Sequence, residues 1–209
     1  MLNKIRALDI KEVYCLGDLT GYGADPAACI KAVRALCTCS VLGNHDYSAA
    51  MLRNIEWFNP AARAAVVWTH AILNEGEKEY LANLPKVKVL NLLGKQLLLV
   101  HGSPRNPLYE YVYEEDVENV IKENMHYDVI AMAHTHIPFV KKTGRSLIIN
   151  CGSVGQPRDR NPKASFAVLD LVKTEAEIVR VAYDVERAAK KIVEAGLPDF
   201  LAKRLFLGV

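Results

Sequence analysis

Four short segments of the chain carry Asp, Asn and His residues of the kinds that bind divalent metal ions. The segments read Gly-Asp at 17–18, Gly-Asn-His-Asp at 43–46, Val-His-Gly at 100–102 and His-Thr-His at 134–136. Carboxylate and amide oxygens together with imidazole nitrogens suit Mn²⁺, Fe²⁺, Zn²⁺, Co²⁺ or Ni²⁺. No cysteine lies in these segments, which argues against a structural zinc site. The candidate metal ligands are Asp18, Asn44, His101, His134 and His136.

The carboxylate of Asp18 can serve two metal ions at once. Such a bridging group holds two ions about 3.5–4 Å apart. Ions at that separation clamp a phosphoryl group and lower the pKa of a water molecule, so that hydroxide becomes available near neutral pH. The segments therefore indicate a hydrolase of phosphate esters.

Each segment directly follows a strand-like run of the sequence. These runs cover residues 12–17, 38–42, 96–100 and 129–133. Ligands of open α/β sheets bind beyond the carboxyl ends of the strands, so the four segments are expected to meet at one rim. A lone histidine is more often a hydrogen-bonded loop residue, and we assign His70 and His126 to that class.

The remaining sequence pattern predicts helices and hairpins around these strands. Helical spacing or capping residues predict helices at 26–37, 59–73, 77–84, 114–124, 185–195 and 199–205. Further strands are predicted at 87–93, 137–142, 146–150, 166–172 and 176–182. The alternation predicts one α/β domain over residues 1–209, with sheet layers inside and helices outside.

Composition excludes some classes of protein and leaves others open. The 26 Lys and Arg residues barely outnumber the 24 Asp and Glu residues, and no basic block indicates nucleic-acid binding. No apolar run reaches the length of a membrane span, so no membrane partner is expected. The five cysteines are interpreted as reduced thiols of a cytoplasmic protein. Whether the chain forms a homo-oligomer stays open.

The four segments, taken in order, resemble the signature of the calcineurin-like metallophosphoesterase superfamily. The closest resemblance is to its small prokaryotic single-domain branch, and it extends over about residues 12–170. The longest similar strings are Gly-Asp-Leu-Thr-Gly-Tyr-Gly-Ala-Asp-Pro at 17–26 and Gly-Ser-Val-Gly-Gln-Pro-Arg at 152–158. The resemblance implies a two-sheet mixed β-sandwich flanked by helices.

The resemblance also implies a role for each site residue. One ion is expected on Asp18, Asn44, His101 and His134, and the second on Asp18 and His136 together with an N-terminal D-x-H motif. His45 resembles the residue that stabilises the transition state and protonates the leaving oxygen. Asp46 is expected to orient His45. Arg158 is expected either to contact the substrate phosphate or to form a structural ion pair.

The sequence departs from the family pattern mainly at its start. Family members begin with a strand carrying D-x-H-G-N, whereas Asp9 here is followed by Ile10 and Lys11. We expect a domain that lacks the first strand and two ligands, through a misplaced start or truncation rather than natural loss. One metal site would then be weakened. The changes at Ala133 and Cys151, where the family has glycine and proline, are minor.

The leading hypothesis is a metal-dependent hydrolase of phosphomonoesters or phosphodiesters that acts on a small phosphate ester or nucleotide. The alternatives are a non-catalytic scaffold on the same fold and a module that binds nucleotides without turnover. Loss of D-x-H favours the scaffold, and retention of His45 and Asp46 argues against it. Substrate specificity is expected in loops such as residues 103–113.

Overall fold

The computed structural model describes residues 1–124 and 126–209. Its strands are β1 (Tyr14–Cys15), β2 (Cys39–Ser40), β3 (Val87–Leu92), β4 (Lys95–Val100), β5 (Val129–Met132), β6 (Phe139–Thr143), β7 (Ser146–Asn150), β8 (Ala164–Asp170) and β9 (Glu175–Val181). Its α-helices are α1 (Leu2–Ala7), α2 (Pro26–Leu36), α3 (Asn44–Met51), α4 (Pro60–Ile72), α5 (Glu75–Ala82), α6 (Val117–Ile121), α7 (Val185–Glu194) and α8 (Asp199–Leu207).

The central layer is a five-stranded mixed sheet in the order β3-β4-β5-β7-β6. Strands β4, β5 and β7 run parallel, and the hairpins β3–β4 and β6–β7 add antiparallel edges. The three parallel strands are buried on both faces, which explains why runs such as 97–100 and 129–132 are almost wholly apolar.

The two faces of this sheet pack against different partners, because successive side chains of a strand point to opposite sides. Leu98, Ile130 and Ile148 pack with α6 on one face. On the other face, Leu97 and Ile149 pack against the antiparallel pair β8–β9. Leu99, also on that second face, packs with the parallel pair β1–β2.

The second layer therefore consists of two separate two-stranded sheets, β1–β2 and β8–β9. Helices cover this arrangement in two groups. Side chains of α2, α3 and α5 form one cluster, and α7 and α8 pack with α4 in another. The predicted mixed α/β sandwich flanked by helices is confirmed. Within the described part of the chain, every helix is too short or too polar to cross a bilayer.

Several element boundaries differ from the sequence prediction. Strands β1 and β2 contain two residues each, because the backbone turns toward the site soon after them. The helix predicted at 114–124 is broken into a 3₁₀ turn at Glu114–Asp116, α6 and a second 3₁₀ turn at Lys122–Asn124. Helix α3 was not predicted, since the polar string at 44–48 has no apolar stripe.

Candidate metal centre

The structure brings Asp18, Asn44, His101 and His134 together at the carboxyl ends of the strands. Nε2 of His101 lies close to one ligand atom of each of the other three residues. It lies 3.2 Å from Oδ2 of Asp18, 3.2 Å from Oδ1 of Asn44 and 3.1 Å from Nδ1 of His134. Asn44 belongs to the first turn of α3, and His101 and His134 follow β4 and β5. These separations fit atoms that share one ion, each about 2.0–2.2 Å from it.

The hydrogen bonds of His101 leave a lone pair inside the cluster. Its Nδ1 donates to the carbonyl of Leu16 at 2.7 Å, which fixes the tautomer as in many metal-binding histidines. Nε2 then faces three acceptor atoms, and the buried Oδ2 of Asp18 accepts no hydrogen bond of good geometry. Converging acceptors repel one another unless a cation lies between them. These oxygen and nitrogen ligand atoms therefore fit a divalent ion.

Burial and mutual charge shift the pKa values of the cluster in different directions. Burial raises the pKa of Asp18, but the neighbouring His101 and His45 outweigh it and hold that pKa below its usual range. Burial lowers the pKa of His134 to about 3. Burial also lowers the pKa of His101, but the Asp18 carboxylate outweighs it, so this pKa is raised in the metal-free chain. A proton on Nε2 can satisfy one acceptor at a time, whereas a divalent ion satisfies all of them.

The backbone is strained at three of the predicted ligands. Asp18, His134 and His136 have φ angles of 52°, 63° and 61°, in the left-handed region that non-glycine residues rarely adopt. Such strain costs about 1–3 kcal/mol per residue and persists where the surroundings over-determine it, often at functional sites. The backbone of Gly43 also packs closely against Asp18, because a Cβ at Gly43 would collide with the Asp18 carboxylate.

His136 lies beside this cluster rather than in it. Among the described residues, the group whose ligand atoms all lie within 4.8 Å of one another contains Asp18, His101 and His134. Nδ1 of His136 donates to the carbonyl of Gln156 at 2.6 Å, which leaves Nε2 as the lone-pair nitrogen. Burial and the charge of Arg158 lower the pKa of His136 well below its ordinary value. Its ring is therefore neutral and prepared for coordination.

His45 is buried next to the cluster. Its backbone N–H donates to Oδ1 of Asp18 at 2.9 Å, and its Nδ1 has no hydrogen-bond partner. The ring lies between Tyr22 and Phe58, at centroid distances of 4.3 and 4.7 Å. Burial lowers the pKa of His45 to about 4. The ring is therefore neutral at physiological pH in the metal-free chain.

The contacts of Asp46 differ from those predicted. Its carboxylate accepts hydrogen bonds from the backbone N–H groups of Leu19, Thr20 and Gly43 at 3.2, 3.1 and 3.3 Å, and from the Thr20 hydroxyl at 3.1 Å. These donors satisfy both oxygens of the fully buried Asp46 carboxylate, whereas Nδ1 of His45 has no hydrogen-bond partner. Burial and the charge of Asp18 raise the pKa of Asp46 to about 7. Asp46 ties the Gly-Asp loop to the start of α3 instead of holding His45.

The structure also places Arg158, His70 and His126, for which the sequence predicted either a substrate contact or ion pair, or a place in a loop. The guanidinium of Arg158 donates to the Tyr22 hydroxyl and to Oε1 of Gln156, both at 3.0 Å, so its hydrogen-bond partners in the described part of the chain are neutral groups. His70 lies in α4 rather than in a loop, with Nδ1 2.7 Å from the Ala49 carbonyl. His126 is exposed and packs on Tyr127 at 4.1 Å.

Sequence reasoning missed an aromatic cavity of about 290 Å³ beside the cluster. Asn44, His45 and His134 form one part of its wall, with Tyr22, Trp57, Phe58, Asn59, Ala62, Tyr109 and Tyr111 around the rest. Tyr109 and Tyr111 fall in the loop region expected to set specificity. No sequence motif pointed to Trp57 and Phe58. The available signal was an aromatic pair directly before a helix start, in the run Glu-Trp-Phe-Asn-Pro at 56–60.

The chain is similar to a known protein family, to a relative from an archaeon and to two solved structures. The profile of the calcineurin-like phosphoesterase superfamily domain matches residues 1–174. An uncharacterized protein of Methanocaldococcus jannaschii is 38% identical, over 100% of this chain and 91% of that relative. The crystal structure of a metallophosphoesterase from Sphaerobacter thermophilus has a TM-score of 0.86 at 31% identity, over 100% of this chain and 93% of that one. A hypothetical protein from Pyrococcus horikoshii, 22% identical over 100% of this chain and 90% of its own, shares the fold with a TM-score of 0.87.

Proposed function

Because the chain belongs to the calcineurin-like phosphoesterase superfamily, we propose that it is a metal-dependent hydrolase of phosphomonoesters or phosphodiesters. The observation that carries the proposal is the convergence of acceptor atoms around Nε2 of His101, which calls for a cation. Asp18, Asn44, His101 and His134 would hold one divalent ion. Asp18 and His136 would contribute to the second, and manganese is the metal we would test first.

The chain's own residues divide the remaining tasks. When bound, the ions supply positive charge for the phosphoryl oxygens and a metal-activated water. His45 borders the cavity next to the cluster, so it is placed to hydrogen-bond a phosphoryl or leaving-group oxygen. Its low pKa in the metal-free chain comes from burial, and a bound phosphate dianion would favour the protonated ring. His45 would then give a proton to the leaving oxygen.

A non-catalytic scaffold is the second candidate, and one observation favours it. Among the residues that the structure describes, the second ion would have only Asp18 and His136 as predicted ligands. The buried and unpartnered Nδ1 of His45 favours catalysis, because a scaffold gains nothing from an unsatisfied polar atom that costs about 1–3 kcal/mol.

A cytoplasmic setting is part of the proposal and is consistent with five free cysteine thiols.

The test is hydrolysis of an aryl phosphate monoester and its diester in the presence of Mn²⁺. Wild-type protein should hydrolyse at least one of them, and Asp18→Asn should lose both turnover and bound metal. The asparagine keeps an oxygen that can accept from the backbone of His45, so the loop should remain folded. Exposed Asp9 provides a control, since Asp9→Asn should leave activity unchanged. Equal turnover by Asp18→Asn and wild type would reject the proposed function.

A further inference from the structure

The cavity beside the metal centre is built mainly from aromatic side chains. Tyr22, Trp57, Phe58, Tyr109 and Tyr111 all face it. None of the described lining residues is Lys or Arg, so the wall itself offers no cation to a further phosphate; the guanidinium of Arg158 lies behind the wall, hydrogen-bonded to the Tyr22 hydroxyl. The cavity volume of about 290 Å³ is close to the lower end, roughly 300 Å³, for small-molecule sites. The space suits one flat ring system next to one phosphoryl group.

Trp57 is exposed and nevertheless held in place. Its side chain is 64% exposed, although a large apolar ring gains by burial. The 3₁₀ turn Ile55–Trp57 is fixed by Arg63, which donates to the carbonyls of Ile55 and Glu56 at 3.0 and 3.2 Å. The indole meets the ring of Tyr109 edge-on, at a centroid distance of 4.8 Å. Trp57 and Tyr111 are both exposed and line the same cavity, and a patch of exposed apolar rings is typical of ligand-binding grooves.

The loop that carries Trp57 is strained and connected across the cavity. Leu52 has a left-handed φ angle of 50°, which leucine rarely adopts. The side-chain amide of Asn54 donates to the Tyr109 hydroxyl at 2.6 Å, which ties this loop to the opposite wall. Strain of this kind survives only where the surroundings enforce it, and it clusters at ligand sites. The aromatic wall is therefore a fixed part of the fold.

The same wall reaches the metal centre directly. The ring of Tyr111 stacks on His134 at a centroid distance of 4.0 Å and an interplanar angle of 17°, and Tyr111 stays 48% exposed. A substrate whose phosphoryl group lies at the cluster would thus have its organic part against aromatic rings. Base–aromatic stacking is sequence-tolerant because every nucleobase has a π-face.

We propose that this cavity is a nucleobase subsite, so that the preferred substrate is a nucleotide with a single phosphoryl group rather than an aliphatic or polyphosphate ester. This inference rests on the proposed function for the position of the phosphoryl group. The aromatic wall takes the base, and the cluster takes the phosphate. Trp57 is the specificity-determining residue, since its ring is the most exposed of the wall.

Binding to the metal-free protein tests the subsite without catalysis. Adenosine, which carries the base without a phosphate, should quench tryptophan fluorescence, whereas ribose 5-phosphate, which lacks the base, should have little effect. Trp68 packs with the helices of the α4–α7–α8 cluster and supplies a constant baseline. Equilibrium dialysis should show that Trp57→Ala binds adenosine roughly 5- to 150-fold more weakly, the scale of one lost stack. Phe206→Ala removes an exposed ring outside the cavity and should bind normally.

Kinetics with Mn²⁺ separate this inference from the proposed function. Trp57→Ala should raise KM for adenosine 5′-monophosphate roughly 5- to 150-fold, whereas Phe206→Ala should leave that KM unchanged. Equal binding of adenosine and ribose 5-phosphate to the metal-free protein, no binding of adenosine at all, or normal binding of adenosine by Trp57→Ala would overturn the subsite. Failure to hydrolyse any monoester or aryl diester would overturn the proposed function, while the binding result would still decide the subsite.

Discussion

Replacing Asp46 by asparagine distinguishes a structural carboxylate from one that acts through His45. The Asp46 carboxylate accepts from the N–H groups of Leu19, Thr20 and Gly43. Asparagine keeps one acceptor oxygen and turns an amide toward the remaining donors, which leaves about two buried donors unsatisfied. At about 1–3 kcal/mol each, the loss of stability should be about 2–4 kcal/mol, because removal of a buried charge offsets part of it.

The assay is equilibrium unfolding in urea at pH 7 without metal, followed by turnover of an aryl phosphate with Mn²⁺. Asp9→Asn serves as the matched control, since this exposed position has a left-handed φ of 51° that asparagine also accepts. It should change stability by less than about 0.5 kcal/mol. If Asp46→Asn is as stable as wild type but turns over far more slowly, Asp46 orients His45 and our reading of its contacts fails.

Further variants test the other parts of the site. His45→Ala should lower turnover roughly 10²–10⁴-fold with Mn²⁺ content unchanged in equilibrium dialysis; loss of metal would make His45 a ligand. Burial holds the pKa of His45 at about 4, against about 6.5 when unfolded, so its neutral ring stabilises the metal-free fold above pH 6.5. That contribution, about 3 kcal/mol, is lost as the pH falls toward 4; urea unfolding should therefore show a steeper acid loss for wild type than for His45→Gln, and equal slopes would refute the shift. Gly43→Ala should cost about 1–3 kcal/mol and weaken Mn²⁺ binding, whereas Gly23→Ala, where a Cβ would meet nothing within 4 Å, should change neither. Mn²⁺ titration by calorimetry should give a stoichiometry nearer one than two, because the second position has few described ligands; two tight sites would contradict this.

The sequence predicted that the candidate ligand side chains converge, because each of them follows a strand-like run. Parallel strands such as β4 and β5 end at the same edge, so position along the chain translated into position in space. Capping residues predicted α4: the side chain of Asn59 accepts a hydrogen bond from the backbone N–H of Ala62, as the Asn-Pro pair implied.

Contacts that depend on long-range packing were not predictable in this way. The carboxylate of Asp46 binds the loop around Leu19 and Thr20, more than twenty residues away in sequence, and no local pattern encodes that choice. The aromatic cavity likewise joins Trp57 to Tyr109 across separate loops. Helix α3 escaped prediction because its first turn is selected by the site, through Asn44 and His45, rather than by an apolar stripe.

The most direct test of the metal centre is a crystal structure of the Mn²⁺-loaded protein with anomalous scattering data. We predict an anomalous peak about 2.0–2.2 Å from Oδ2 of Asp18, Oδ1 of Asn44, Nε2 of His101 and Nδ1 of His134, with His101 still donating through Nδ1 to Leu16. A Mn²⁺ ion bound elsewhere, or no ion among these four side chains at saturating Mn²⁺, would contradict the assignment of this site.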